Sequence, residues 1–194
     1  ESDDVMRTLN ILKELCIKIV KKKTQWIVYG NGTGGYIQPV QVLDCGNSGT
    51  TSRLMIGAVS SNPISCTFIG DNSLSKRSMS RLSIKKKKMG AEIKLTKKDF
   101  LPLHINGDIN LIPMEHVMQK ASAQVKSAIM LSALNVRGKT KIIEKTNTRD
   151  HTERLMHYLR IKFKKKILSR SSTSIELDGP YEIKPRDITV ANDP

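Results

Sequence analysis

Residues 122–134 read SAQVKSAIMLSAL, a run of small and apolar side chains that predicts a helix beginning at Ser122. Apolar residues occupy most of its sides, and a helix that is apolar nearly all round is a buried helix. A second stretch of the same character, NSGTTSRLMIGAV, begins 75 residues earlier at Asn47. The two stretches predict a repeated unit whose central helices are buried.

Three further segments also resemble one another, and their starts lie 73 residues apart at positions 2, 75 and 148. Each has apolar residues at helical spacing and then passes into a short alternating stretch, such as AEIKL at 91–95, which is typical of a strand. Other strand-like runs are WIVYG (26–30), CTFIG (66–70), LPLHING (101–107), KTKIIEK (139–145), SIELDG (174–179) and YEIKP (181–185). The pattern predicts an α/β fold of repeated two-helix units around buried helices.

The composition of the 194 residues favours a globular protein that binds anionic ligands. Apolar residues make up 38%, and the net charge is +15. Such a charge indicates nucleic acid or small anionic substrates. Aromatic residues, which would stack on bases, make up only 4% and are not interleaved with the lysine runs at 21–23, 85–88 and 164–166. Those runs are typical of solvated faces or strand edges.

Compartment and chain organisation can also be predicted. No apolar run is long enough to span a bilayer, and the polar, acidic start is unlike a signal peptide. Three cysteines without a C-x-x-C pair indicate a reducing cytosol and argue against a disulfide scaffold or a zinc site. The chain begins directly on a helix, and VANDP at 190–194 is typical of a strand and a loop before another buried helix. We expect one domain, 1–194, without an internal linker, taken from a longer protein.

Several motifs have ordinary structural explanations. GNGTGG at 30–35 has the G-x-G-x-x-G spacing, but YIQPVQVLD follows it and is not helical, so we predict a turn between strands and not a dinucleotide site. His151 and His157 lie six positions apart, do not share a helix face and form no zinc pair. Asp150 and Glu153 predict a capping box.

Four predicted helix starts place small or polar residues where backbone N–H groups are free, at 47–51, 73–77, 122–124 and 148–150. Such N-termini attract anions through unpaired donors and the helix dipole. Arg77 and Arg149 lie in or just before a first turn, where the dipole disfavours cations, but where a guanidinium suits phosphate or carboxylate. Any single start is explained by simple capping. The set together favours a shared anionic ligand.

At this point the motifs resemble those of a known family, the EPSP synthases (3-phosphoshikimate 1-carboxyvinyltransferases), in the bacterial subgroup that includes glyphosate-tolerant enzymes. The motifs, in family order, are LDCGNSGTTSRLMIG (43–57), CTFIGDNSLSKRSMSR (66–81), ASAQVKSAIMLSAL (121–134) and TRDHTERLM (148–156). The resemblance implies one lobe of a two-lobed fold, built from βαβαββ units around buried helices. It also implies that the chain forms most of the N-terminal lobe of a longer enzyme.

The implied reaction transfers the carboxyvinyl group of phosphoenolpyruvate to the 5-hydroxyl of shikimate 3-phosphate and releases phosphate. It belongs to chorismate and aromatic amino acid biosynthesis and requires no metal or organic cofactor. The resemblance further implies a cytoplasmic monomer without specific nucleic-acid or membrane partners. The acid–base residues would lie in the C-terminal lobe, so the isolated chain should be inactive.

Site residues follow from the matching motifs. The residues implied for phosphoenolpyruvate are Asn47, Gly49, Thr50, Arg77 and Gln124. Those implied for shikimate 3-phosphate are Ser122, Ala123, Gln124 and Arg149. Arg53 is interpreted as structural. Gly49 stands where tolerant enzymes often have Ala, which implies that glyphosate inhibits the complete enzyme.

The sequence also departs from the family, and other functions remain open. Ser78 stands where the family usually has Pro, and the stretch before KFKKK lacks the usual Gly. The alternatives are a carboxyvinyltransferase acting on UDP-N-acetylglucosamine, which would need a reactive Cys in a mobile loop, and a basic nucleic-acid-binding module. A fourth interpretation is a decayed fragment without function.

Overall fold

The structure is a computed structural model that describes residues 2–95 and 99–190. Its first elements are helix α1 (Asp3–Glu14) and an antiparallel hairpin of β1 (Lys18–Lys22) and β2 (Gln25–Tyr29). The GNGTGG segment follows β2 and opens no helix, since the next helix begins only at Gly49. The prediction of a turn after a strand is therefore confirmed.

Two complete units follow, each with the order strand, helix, strand, helix, strand, strand. The elements of the first unit are β3 (Leu43–Asp44), α2 (Gly49–Val59), β4 (Ser65–Ile69), α3 (Ser80–Lys88), β5 (Glu92–Leu95) and β6 (Leu103–Asn106). Those of the second are β7 (Glu115–Met118), α4 (Ala123–Ala133), β8 (Gly138–Glu144), α5 (His151–Tyr158), β9 (Phe163–Ile167) and β10 (Thr173–Gly179). The predicted βαβαββ repeat is thus confirmed.

The two sheets have the same topology. Their strand orders are β3-β4-β6-β5 and β7-β8-β10-β9. In each sheet the first strand pairs in parallel with the second, and the remaining pairs are antiparallel. Equivalent elements therefore occupy equivalent places, and the first strands of both units run into the N-termini of the two buried helices.

Helices α2 and α4 pack closely against each other at Gly57. A Cβ added to Gly57 would lie 2.4 Å from the backbone oxygen of Ala128 and 2.6 Å from its Cα. Only a glycine lets the two backbones approach so closely. Ile56 and Val59 of α2 and Ala128 and Ile129 of α4 are fully buried, as predicted for helices that are apolar on most sides.

The outer helices α1, α3 and α5 end in the same left-handed motif. The residues that follow their caps are Cys16, Gly90 and Arg160, with φ of 62°, 108° and 59°. In each case the next amide donates to the carbonyl five residues earlier, as Ile161 N does to Met156 O at 2.9 Å. This is the Schellman arrangement, in which glycine is the preferred residue. Arg160 occupies it at a steric cost, because a Cβ is disfavoured there.

The strands differ from the sequence analysis in three details. Residues 181–185 form no strand. The Tyr181 amide donates to Leu134 O at the end of α4 at 2.8 Å, and the Tyr181 carbonyl accepts a hydrogen bond from the Thr33 hydroxyl. The backbone at Tyr181 therefore bonds to a helix end and a loop. Strand β7, by contrast, was not anticipated. Val190 lies outside any strand, and the rest of the predicted VANDP strand and loop falls outside the described residues.

Candidate functional site

The N-terminus of α2 carries three of the predicted site residues. Ser48 caps this helix, because its Oγ accepts a hydrogen bond from Thr51 N at 3.2 Å. Asn47 precedes the cap, and Gly49 and Thr50 form the first turn. The capping hydroxyl satisfies only one of the first-turn donors, so the N-terminus keeps free N–H groups and the positive end of the helix dipole.

Arg77 reaches this helix start from a neighbouring loop. Its Nη2 donates to Asn47 Oδ1 at 2.7 Å and to Ser73 Oγ at 3.2 Å. The predicted helix start at 73–77 is wrong in its form: a short 3-10 helix spans Leu74–Lys76, Arg77 follows its end, and α3 begins only at Ser80. Arg77 therefore lies beside the N-terminus of α2 and not in the first turn of its own helix.

Asp71 organises this contact and was missed by the sequence analysis. Its Oδ1 accepts from Leu74 N and its Oδ2 from Asn47 Nδ2, both at 2.7 Å. The Leu74 amide, and then the Asn47 amide, lower the pKa of the Asp71 carboxyl. Asp71 stands in the IGDNSL segment three residues before Leu74, which is the signature of a side chain closing a turn. It orients the Asn47 amide so that the oxygen faces Arg77.

Gln124 joins the two buried helices at their N-termini. Its Nε2 donates to Thr50 Oγ1 at 2.8 Å, and its Oε1 accepts from Arg53 Nη1 at 2.9 Å. The same guanidinium nitrogen donates to Gly49 O at 3.1 Å. Arg53 has the structural contacts that the sequence analysis expected, and it also borders the pocket described next.

A pocket of about 330 Å³ opens beside these residues. It is lined by Arg53, Arg77, Ser78, Met79, Arg81, Leu82, Ser122, Gln124 and Val125. Three guanidinium groups therefore border it, and no carboxylate is among these lining residues. Burial, followed by the charges of Arg77 and Arg81, lowers the pKa of Arg53. An anion placed here would relieve the repulsion among the three cations.

Arg81 is a further lining residue that the sequence analysis missed. It lies in the first turn of α3, four residues after Arg77. A cation near a helix N-terminus is disfavoured by the helix dipole, which is the same signal that drew attention to Arg77. The paired arginines in KRSMSR were therefore available as a clue.

Ser122, Ala123 and Arg149 occupy the adjoining region. Ser122 caps α4, its Oγ accepting from Val125 N at 3.3 Å, and Ala123 is the first helical residue. Arg149 is exposed, immediately before Asp150, the N-cap of α5. Lys126 Nζ of α4 donates to Arg149 O at 3.0 Å. The structure thus brings the starts of α4 and α5 together, while Arg149 is not among the described residues that line the pocket.

The predicted capping box at the start of α5 is wrong. Asp150 makes no side-chain capping bond and instead pairs with Arg154 at 3.1 Å. Glu153 turns inward, where its Oε1 accepts from Lys126 Nζ at 2.8 Å. A buried ammonium competes for the carboxylate more strongly than a backbone amide, because a charge-assisted bond is stronger.

Two of the three thiols are poorly placed for chemistry. Cys45 and Cys66 are buried in the core, and burial raises the pKa of each thiol to about 12. A thiol at such a pKa is protonated and unreactive. Cys16 is exposed, but it lies at the end of α1. The two buried thiols do not resemble the reactive loop cysteine that the alternative carboxyvinyltransferase would need.

Two negative findings apply to residues 2–95 and 99–190. No helix there combines the length and apolarity needed to cross a membrane. No cluster of three or more His, Cys, Asp or Glu side chains in the same ranges could hold a metal ion.

The family model for EPSP synthase (3-phosphoshikimate 1-carboxyvinyltransferase) matches residues 1–194. The 3-phosphoshikimate 1-carboxyvinyltransferase of Novosphingobium aromaticivorans is 40% identical over 195 residues, covering 100% of this chain and 44% of that protein. The protein of the same name from Zymomonas mobilis is 41% identical, with 100% and 43% covered.

A solved structure of EPSP synthase from Acinetobacter baumannii superposes with a TM-score of 0.86 at 34% identity, covering 94% of this chain and 40% of that one. The chain thus spans less than half the length of the relatives it matches. Sequence and structure agree, and the chain belongs to the EPSP synthase (3-phosphoshikimate 1-carboxyvinyltransferase) family.

Proposed function

We propose that this chain forms one half of the site of a 3-phosphoshikimate 1-carboxyvinyltransferase. The 5-hydroxyl of shikimate 3-phosphate would lose its proton and bond to C2 of phosphoenolpyruvate while C3 gains a proton, giving a tetrahedral intermediate. Loss of a proton from C3 would then restore the carbon–carbon double bond as the C2–O bond to phosphate breaks and phosphate leaves. The observation that carries the proposal is the convergence of three arginines on one pocket beside two helix N-termini. Both substrates are anions, and such a pocket favours anions.

The proposed phosphoenolpyruvate half-site consists of Asn47, Gly49, Thr50, Arg77 and Gln124. Arg77 would grip a phosphate or carboxylate group of the substrate, with Asn47 holding the guanidinium in place. The absence of a Cβ at Gly49 leaves room beside Arg53 and Arg77, which supports close approach of a ligand. Gln124 would lie between the two substrates, since it joins α2 to α4.

The proposed shikimate 3-phosphate half-site consists of Ser122, Ala123, Gln124 and Arg149. The free N–H groups at the start of α4 and the Arg149 guanidinium would face the phosphate and hydroxyl groups. Acid–base catalysis would come from the C-terminal lobe, and closure of the lobes would exclude water. We propose that residues 1–194 form one domain, most of the N-terminal lobe, and that the reaction needs no cofactor.

The proposal extends to a monomer in the cytoplasm, without specific nucleic-acid partners. Three free cysteines, two of them buried, support a reducing compartment. The +15 charge would attract nucleic acid without specificity. Binding to DNA or RNA that persists at physiological salt would count against this part of the proposal, because nonspecific binding weakens steeply as salt rises.

Calorimetric titration of the full-length gene product tests the proposed function directly. We expect saturable binding of shikimate 3-phosphate and of phosphoenolpyruvate. The Arg149→Ala substitution should raise the dissociation constant of shikimate 3-phosphate about tenfold or more, which corresponds to the loss of one charge-assisted hydrogen bond. Absence of shikimate 3-phosphate binding, or rapid stoichiometric labelling of a Cys by an epoxide inhibitor, would favour the UDP-N-acetylglucosamine alternative.

A further inference from the structure

A fully buried lysine lies behind the proposed shikimate 3-phosphate half-site. The Lys126 side chain, in the first turn of α4, has a relative exposure of 0%. Its Nζ donates to Glu144 Oε2 at 3.1 Å, to Glu153 Oε1 at 2.8 Å and to Arg149 O at 3.0 Å. One ammonium therefore links helix α4, the end of strand β8 and the start of helix α5.

The charges around Lys126 are buried together. Glu144 and Glu153 are exposed by only 3% and 4%, so two carboxylates share a single ammonium. Thr148 Oγ1 donates to Glu144 Oε1 at 2.5 Å, whereas Glu153 Oε2 has no hydrogen-bond partner among the described residues. A buried ion cluster of this kind adds little stability compared with apolar side chains of the same shape, and its best-attested use is to fix one arrangement.

The arrangement that this cluster fixes includes Arg149. The Lys126 ammonium donates a hydrogen bond to the Arg149 carbonyl, and the Thr148 hydroxyl donates one to Glu144. The hydroxyl groups of Ser127 and Thr152 are also hydrogen-bonded, at 2.6 Å. Residues 148–153 are thereby tied to the first turns of α4. The Arg149 side chain itself remains exposed. Its backbone is held at a set distance from Ser122, one helical turn before Lys126, while its guanidinium stays free for a ligand.

We propose that Lys126 is a positioning residue for shikimate 3-phosphate. Through Glu144, Glu153 and the Arg149 carbonyl it sets the spacing between Arg149 and the N-terminus of α4. Lys126 cannot touch the substrate, because it is fully buried. The pocket beside Arg77 is lined by residues of α2, of the 77–82 segment and of the start of α4, but Lys126, Arg149 and the two glutamates are not among its lining residues. This inference rests on the proposed function of the Arg149 region.

The test compares two ligands in the full-length gene product. The main variant, Lys126→Met with Glu144→Gln and Glu153→Gln, removes all three buried charges and keeps similar shapes. Lys126→Arg is the second variant, which keeps the charge but changes the length of the contact. Lys145→Met is the matched control, since Lys145 follows Glu144 but is exposed and donates to Gln119 Oε1 at 3.1 Å.

We expect the dissociation constant and KM for shikimate 3-phosphate to rise about tenfold in both cluster variants, a coupling typical of residues in one polar network. The phosphoenolpyruvate KM should change about twofold or less, with the thermal midpoint of the triple variant near that of the control, because replacing a buried ion cluster by neutral side chains of similar shape is close to neutral for stability. If Lys126 had only a structural role, the variants would bind both ligands more weakly, in proportion to the fall in the thermal midpoint.

Three outcomes would decide against the inference. If the unaltered protein binds no shikimate 3-phosphate, the proposed function fails and the positioning role fails with it. If the unaltered protein binds it and the cluster variants bind both ligands with unchanged constants, only the positioning role is wrong. Equal weakening of both ligands together with a lowered thermal midpoint would also overturn it.

Discussion

Arg77 Nη2 donates to Asn47 Oδ1 at 2.7 Å across a sequence separation of 30 residues. Asp71 holds the amide of Asn47 from its other side, also at 2.7 Å. The two hydrogen bonds run from the Asp71 carboxylate through the Asn47 amide to the Arg77 guanidinium, and together they fix the direction in which Arg77 points. The proposed phosphoenolpyruvate pocket depends on this contact, because it brings a loop cation to a helix N-terminus.

Arg77→Ala should raise the KM for phosphoenolpyruvate about tenfold to a hundredfold, because a hydrogen bond to a charged group contributes about 1.5–3 kcal/mol. Steady-state kinetics of the full-length gene product measures it. The control is Lys76→Ala, an exposed cation one residue earlier that lies outside the pocket lining. An unchanged KM in Arg77→Ala would remove Arg77 from the site.

The Gly49→Ala substitution should weaken inhibition by glyphosate. A Cβ on Gly49 would lie 2.7 Å from Arg53 Nη1 and 3.4 Å from Arg77 Nη1, so the fold survives while the guanidinium groups shift away from the ligand. We expect the unaltered protein to be inhibited and the inhibition constant to rise about tenfold or more in the variant. Gly30→Ala, where no described atom lies within 4 Å of the added Cβ, is the control. Equal inhibition constants for the unaltered protein and the Gly49→Ala variant would refute this explanation.

Lys86 offers a prediction on pH dependence. It is fully buried in α3 with Met89 Sδ 3.9 Å from its Nζ, and burial lowers its pKa from 10.5 to about 7. The nearby His116 is also buried, and burial and Lys86 lower its pKa to about 3. Between pH 7 and 10.5 the unfolded chain binds more protons at Lys86 than the folded chain does. Lys86 should therefore make the free energy of unfolding rise with pH in the lower part of this window, up to about pH 9. Above that pH the buried Cys45 and Cys66 thiols, whose pKa values are raised from 9.0 to about 12, oppose the rise.

Lys86→Met should raise the free energy of unfolding by about 2–5 kcal/mol near pH 7 and remove that pH dependence, since it eliminates a buried amine. Urea unfolding from about pH 7 to about pH 9, below the range in which unfolded thiols titrate, measures both effects. Lys87→Met changes the exposed neighbour and should keep the slope. If the free energy of unfolding of Lys86→Met still rises with pH to the same extent, the pH dependence comes from groups other than Lys86.

Arg160→Gly should stabilise the fold. Arg160 has a φ of 59° in the position where α3 has Gly90, so it holds a left-handed backbone that glycine adopts freely. We expect the free energy of unfolding to rise by about 0.5–1 kcal/mol. Arg154→Gly, inside α5, should lower it by about 1 kcal/mol. Chemical denaturation that shows destabilisation by Arg160→Gly would contradict the assigned conformation.

Local patterns were sufficient to predict the repeat. The 73- and 75-residue spacings and the all-round apolar helices correctly predict two equivalent units around α2 and α4. Their caps, Ser48 and Ser122, follow from the small polar residues before each apolar run. These features depend on residues close in sequence, where helix periodicity and capping chemistry are decisive.

Partners distant in sequence could not be predicted in the same way. Glu153 looks like a capping residue until Lys126, 27 residues earlier, is seen to take its carboxylate. A lysine within a buried helix carries no periodic signal of its partners. Asp71 likewise acts through Asn47, and residues 181–185 have a strand-like pattern but find their hydrogen bonds at a helix end.

The central claim is that this chain supplies one half of a two-lobed site for phosphoenolpyruvate and shikimate 3-phosphate. Phosphate release measured with both substrates tests it most directly. We predict release by the full-length gene product only when both substrates are present, and none above the blank from residues 1–194 alone. Turnover by residues 1–194 alone, or no substrate-dependent release by the full-length product, would contradict the account.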